Sequence, residues 1–227
     1  MPIPDLDATF SALAGQPALT LVGRGPRVSW WDPRDFASEL ARLHEPAVLR
    51  ALGEPTDAWL ELPLHVDIQW EAELAPREGR PVGQLGGLHM YSLLDAWSLR
   101  DDPDWQAPAG PEHGARHFLI DIDNYHGNGD FTVAVIDDDG LHLEYCDGHV
   151  FIPLAVTPLE FYRVGLQALG WPSWQKLFAA APAQYPAEYE RAYLRPMIEN
   201  LPRWLPDHPR SALDTAIAAW RRRHARA

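Results

Sequence analysis

Asp121, Asp123, His126 and Asp130 fall within ten residues, in the segment Asp121-Ile122-Asp123-Asn124-Tyr125-His126-Gly127-Asn128-Gly129-Asp130. Carboxylates and imidazoles are ligands for divalent cations, and a loop that concentrates them could hold one. A metal-dependent hydrolase using these four residues is therefore one reading of the chain. The segment has a second reading. It lacks the EF-hand pattern and that loop's closing bidentate Glu. Gly and Asn are also what any tight turn between strands requires, because they accept positive φ. Asp137-Asp138-Asp139-Gly140 reads the same way, as a solvated hairpin turn.

Other catalytic signatures are missing from the sequence. Residues 23–27 (GRGPR) lack the spacing and the Lys-Ser/Thr ending of a phosphate loop, and GxSxG, HExxH and paired CxxC do not occur. The ten histidines are scattered and form no i, i+4 helical pair. Cys146 is the single cysteine, which excludes an intrachain disulfide and reads as a small, partly buried strand residue. These features point away from the familiar enzyme classes, and no cofactor is expected.

Charge points elsewhere. The chain of 227 residues carries 32 acidic and 19 basic side chains, a net charge of −13. Nucleic acid is a poor partner for such a chain, since binding it requires neutralising phosphates. A basic protein is a better one, because an acidic field accelerates the encounter. No apolar run approaches the roughly 20 residues that span a bilayer. The opening residues carry two Asp and no basic cluster, unlike an export signal, so a cytoplasmic location is expected. Ten tryptophans are present. Most are core by size, and any exposed one is a candidate contact anchor.

The elements that must position these residues can be read from periodicity. Asp32 and Pro33 open a helix with Phe36, Leu40 and Leu43 on one stripe. Residues 64–74 alternate strictly, with Leu64, Val66, Ile68, Trp70, Ala72 and Leu74 on one face and His65, Asp67, Gln69, Glu71 and Glu73 on the other. Residues 76–87 read as a loop, followed by a short strand at 88–91 and a helix capped by Ser92. Strands follow at 117–123 (Phe118, Ile120 and Ile122 inward), 131–136, 141–145 (Leu141, Leu143 and Tyr145 inward) and 150–154. Thr157-Pro158-Leu159-Glu160 starts a helix with Leu159, Tyr162, Leu166 and Leu169 as its buried stripe and Gly170 at its end. Helical stretches are expected at 173–180, 186–200 and 211–226. Strands first and helices after argue an α+β fold: a mostly antiparallel sheet flanked by helices, with a helical C-terminal extension. The expected division is a domain over 1–170 and an extension over 171–227 packed on it.

Three stretches resemble the SMI1/KNR4 family, also called the SUKH superfamily, over about residues 86–169. Residues 86–97 (GGLHMYSLLDAW) are similar to its glycine, strand and short Ser-Leu helix. Residues 117–136 are similar to its strand, Gly-Asp turn and strand. Residues 141–169 resemble its last hairpin and closing helix. The family's usual Leu-Pro helix start ending in Asn-Gly has no good counterpart between Phe36 and Leu62. The resemblance implies a non-catalytic module, in bacteria an immunity protein that neutralises a polymorphic toxin, and it transfers no site residues.

The sequence reading is thus a protein-binding module for a basic toxin or other basic protein. Its expected contact surface is an acidic sheet face of Asp67, Glu71, Glu73, Asp121, Asp123 and Glu144, with His65, Gln69 and His142 interspersed. A homodimer formed through the C-terminal helices is a further reading.

Overall fold

The computed structural model describes residues 11–17, 19–21, 27–28, 64–77, 80–91, 116–123, 130–137, 140–147, 150–179 and 186–225, with strand 116–123 described through its backbone. The helices read at Asp32–Pro33 and after Ser92, and the 124–129 turn with His126, lie outside these residues.

The fold is α+β. Among the described residues the strands are β1 (Leu19–Leu21), β2 (Arg27–Val28), β3 (Leu64–Arg77), β4 (Arg80–Met90), β5 (Arg116–Asp123), β6 (Asp130–Asp137), β7 (Gly140–Asp147) and β8 (Val150–Leu154). They form one antiparallel sheet in the order β1-β3-β4-β5-β6-β7-β8, with β2 also paired to β3. From β3 onward each strand pairs with the next. The helical layer consists of α1 (Pro158–Ala168), a 3₁₀ turn (Trp174–Phe178), α2 and α3 (Ser211–His224). Helix α2 runs through Pro186–Tyr189, a π turn at Glu190–Leu194, and Arg195–Trp204. The π turn precedes Pro196. Widening the helix there fits a proline ring that would otherwise press on the carbonyl four residues back.

Strand β3 alternates as its pattern requires. Ile68, Trp70, Ala72 and Leu74 are buried, whereas Glu71 and Glu73 are exposed. Strand β4 departs from the sequence reading. Residues 76–87, expected as a loop, instead complete β3 and supply most of β4. The glycines that suggested a loop have a packing role. Gly86 lies directly opposite Trp70, and a Cβ on it would stand 2.0 Å from the Trp70 ring. The indole therefore covers the glycine's strand, and a residue of ordinary strand propensity could not sit there.

Helix α1 closes the sheet. Its first turn is capped by Thr157, whose Oγ1 accepts from Glu160 N–H at 3.3 Å, with Pro158 at the first position. Beyond the expected stripe, Phe161 and Val164 are also fully buried, while Leu159 is half-buried. The helix has the sheet on one side and α3 with the 3₁₀ turn on the other, so one apolar stripe does not suffice.

The end of α1 is a tight junction with the sheet. Leu169 and Gly170 both adopt positive φ, 54° and 62°. That turns two successive carbonyls to the sheet. Trp70 Nε1–H donates to Leu169 O at 2.8 Å, and Gly87 N–H donates to Gly170 O at 3.0 Å. Trp70 also packs against Trp171 and Trp204, with ring centroids 5.3 and 5.7 Å apart. A single core cluster runs from β3 and β4 through α1 to Trp204, Leu213 and Trp220, so the C-terminal helices pack on the sheet.

Helix α3 is capped from a distance. The buried Gln167 side chain accepts from Ala212 and Leu213 N–H at 3.0 Å each, satisfying amides that the helix start leaves unpaired. His208 lies in the link before α3, and burial holds its imidazole below the ordinary histidine value. The unfolded chain then takes up a proton before the folded one does. Stability should be full above pH ~6.5 and fall as pH drops through that value toward the lower folded pKa. Urea melts from pH 8 to 5 check this: His208→Gln should flatten the decline.

Candidate functional site

Among the described residues, helices pack on one side of the sheet only. On the side opposite the described helices, Glu71 and Glu73 of β3 are exposed, and Leu85, directly opposite Glu71 on β4, is 38% exposed. Asp67 belongs to the same side by register, opposite His89. Further along the same side, Glu144 of β7 is half-buried, with His142 Nε2 3.7 Å from its carboxylate. Val133 and Val135 on this side of β6 are buried, so the side is closed there.

The six residues expected on one acidic face do not gather. Glu144 is four strands from Glu71, about 19 Å at ~4.8 Å per strand. That is more than twice the Debye length of about 8 Å at physiological salt, so the two charges do not act as one patch. By backbone register Asp121 and Asp123 fall on the other side of the sheet. Asp121 lies opposite Met90 on β4 and opposite Thr132 on β6, and Asp123 lies opposite Asp130. Met90 belongs to the core, and Thr132 is paired in turn with core residue Tyr145. The two aspartates thus occupy register positions on the helix-covered side. The cause is a register shift between Leu119 and Asp121. Phe118 pairs with Ala134 on the helix side, and the bulge puts Asp121 on that same side instead of the other.

A polar group therefore lies under the helices at one end of the sheet. Asp130, 5% exposed, accepts from Tyr145 O–H at 2.9 Å. Lys176, the only lysine of the chain, pairs with Asp147 at 2.8 Å and stands 5.9 Å from the Tyr145 ring centroid. Thr132 is wholly buried and its Oγ1 has no hydrogen-bond partner. Cys146 is buried, and that burial, with the Asp130 and Asp147 carboxylates, pushes its thiol up, which is the wrong direction for a nucleophile. Nothing in the sequence pattern singled out Lys176 or Tyr145, because the pairing that joins them depends on the 3₁₀ turn reaching back over β7.

Comparison with protein-family models, with curated proteins and with solved structures finds no match to this chain. Among the described residues no helix is long and apolar enough to cross a membrane.

Proposed function

We propose that the protein is a non-catalytic binding module for a basic protein, and that in its bacterial setting this partner is a toxin it neutralises. The observation that carries the reading is the pair of exposed carboxylates Glu71 and Glu73 around exposed Leu85, on the side of the sheet opposite the described helices. Support also comes from the net charge of −13, which steers basic partners toward the chain. The resemblance of residues 86–169 to the SMI1/KNR4 family favours an immunity role. In this reading the carboxylates select and orient the partner, and Leu85 supplies the apolar contact at the centre of the patch.

The test is binding to the product of an adjacent toxin-like reading frame, measured by calorimetry at low and high salt. The Glu71→Lys/Glu73→Lys double variant should weaken binding about tenfold or more, and salt should weaken the wild type in the same direction. Thermal unfolding of the variant beside the wild type separates lost binding from lost folding. Binding that ignores both salt and charge reversal would sink the reading.

A further inference from the structure

Strand β4 runs well past the strand beside it. Among the described residues β5 pairs with β4 at Met90 alone, opposite Asp121. The Gly87 N–H turns away from β3 and donates to Gly170 O at 3.0 Å. In an antiparallel pair such outward positions recur at every second residue. The register with β3 is unbroken from Met90 back to Val82, so Leu85 and Gly83 also turn their N–H and C=O to this edge. The Leu85 carbonyl there accepts from Gln84 Nε2 at 2.9 Å in an exposed hydrogen bond. A side chain thus stands where the N–H of a neighbouring strand would be, as on an open edge. The open stretch is short. Gly170 takes the edge at Gly87, and Pro81 has no N–H to offer. Gly83 presents no side chain to a backbone laid beside it, and glycine within a strand often marks such an approach. The same stretch borders the acidic patch: Glu71 lies opposite Leu85 and Glu73 opposite Gly83, both exposed and one strand in from the edge.

We propose that the edge of β4 at Gly83–Leu85 takes up an extended segment of a basic protein as an added strand, whose arginine or lysine side chains reach across Leu85 and Gly83 to Glu71 and Glu73. This rests on the reading of the acidic patch given above, and it specifies the partner's chemistry. The partner offers an exposed, extended stretch with basic residues at alternate positions, because alternate side chains of a strand share one face. An added strand lies two spacings from β3, about 10 Å at ~4.8 Å each. An arginine and a glutamate side chain close that gap between them. Backbone bonds to Gly83 and Leu85 supply affinity of a kind that any strand can use, and the two carboxylates select the sequence. Leu85, beside the incoming strand, shields those bonds from water.

The probe is a short capped peptide alternating arginine and valine, added to the full chain. Two controls share its sequence and charge: one is N-methylated at every arginine, the other at every valine. Amide exchange along the chain is followed by NMR. The unmodified peptide should slow exchange at Gly83 and Leu85 about tenfold or more. An added strand uses the N–H groups of alternate residues only. One methylation pattern should therefore weaken binding about tenfold or more, and the other should leave it nearly unchanged. Equal binding by all three peptides would overturn the added strand and leave the acidic patch standing. Binding that does not slow Gly83 and Leu85, or no binding at all, would also overturn it. So would slow exchange at these two amides in the free chain, since the chain itself or a second copy would then occupy the edge. In Glu71→Lys/Glu73→Lys, affinity for the unmodified peptide should fall about tenfold. Full affinity there would overturn selection by the carboxylates, and with it the patch reading, whatever the edge does.

Discussion

Gly170→Ala is expected to destabilise the protein by about 4 kcal/mol or more, enough to unfold a marginal domain. Two effects act together. The residue has φ of 62°, where an L side chain is strained by roughly 1–2 kcal/mol. The new Cβ would also stand 2.0 Å from the carbonyl oxygen of Gly87, a backbone atom on β4 that no rotamer change can move. Relieving the clash means withdrawing α1 from the sheet. That breaks the Gly87 N–H to Gly170 O bond and loosens the Trp70 to Leu169 bond beside it. Urea denaturation of Gly170→Ala beside Gly15→Ala checks the expectation. At Gly15 an added Cβ meets nothing nearer than 3.5 Å, so that change should be close to neutral. Equal effects at the two glycines would remove the basis for calling this junction special.

Gly86→Ala should cost about 3 kcal/mol in the wild type and far less once Trp70 is leucine. In the native protein the added methyl would lie 2.0 Å from the Trp70 ring, which is itself 1% exposed and held by Trp171, Trp204 and the Leu169 carbonyl. The ring has no room to swing away. Trp70→Leu alone should cost about 3–5 kcal/mol, because it leaves a cavity and an unpaired carbonyl. In the double variant the alanine partly refills that cavity. The two changes should therefore combine to less than their sum by about 1–2 kcal/mol. A double-mutant cycle by chemical denaturation measures the coupling, and a strictly additive result would contradict the cover of Gly86 by the indole.

The two glycines also mark the limit of what the sequence could reveal. The alternation over 64–74 and the cap at Thr157 depend on neighbouring residues alone, and both read correctly. So did the hairpin joining Phe131–Ile136 to Leu141–Tyr145. Strand β4 was misread because Gly83, Gly86 and Gly87 have loop propensity, while the ring that makes Gly86 necessary sits on another strand. The acidic face was misread for a related reason. Asp121 and Asp123 alternate with Ile120 and Ile122 as outward residues should, but a shift of one residue at the bulge exchanges the faces. The spacing of Glu144 from Glu71 depends on strand order, which periodicity does not encode. Of the six expected contact residues, Asp67, Glu71 and Glu73 lie together on one strand, on the side opposite the described helices, because alternation along a single strand is local.

The indole of Trp70 is bonded to a carbonyl 99 residues further along the chain, and its other ring neighbour, Trp204, comes later still. During synthesis the sheet therefore leaves the ribosome long before the helices that cover it. At about 5–20 residues per second, the apolar side of β3 and β4 waits several seconds or more for its cover. Over that interval the nascent chain presents Ile68, Trp70, Leu88 and Met90 without their partners, a surface that chaperones bind and that favours aggregation. Yield in cells should thus depend on how fast the last fifty residues are made, and rare codons placed after Gly170 should lower soluble yield more than the same codons placed before β3.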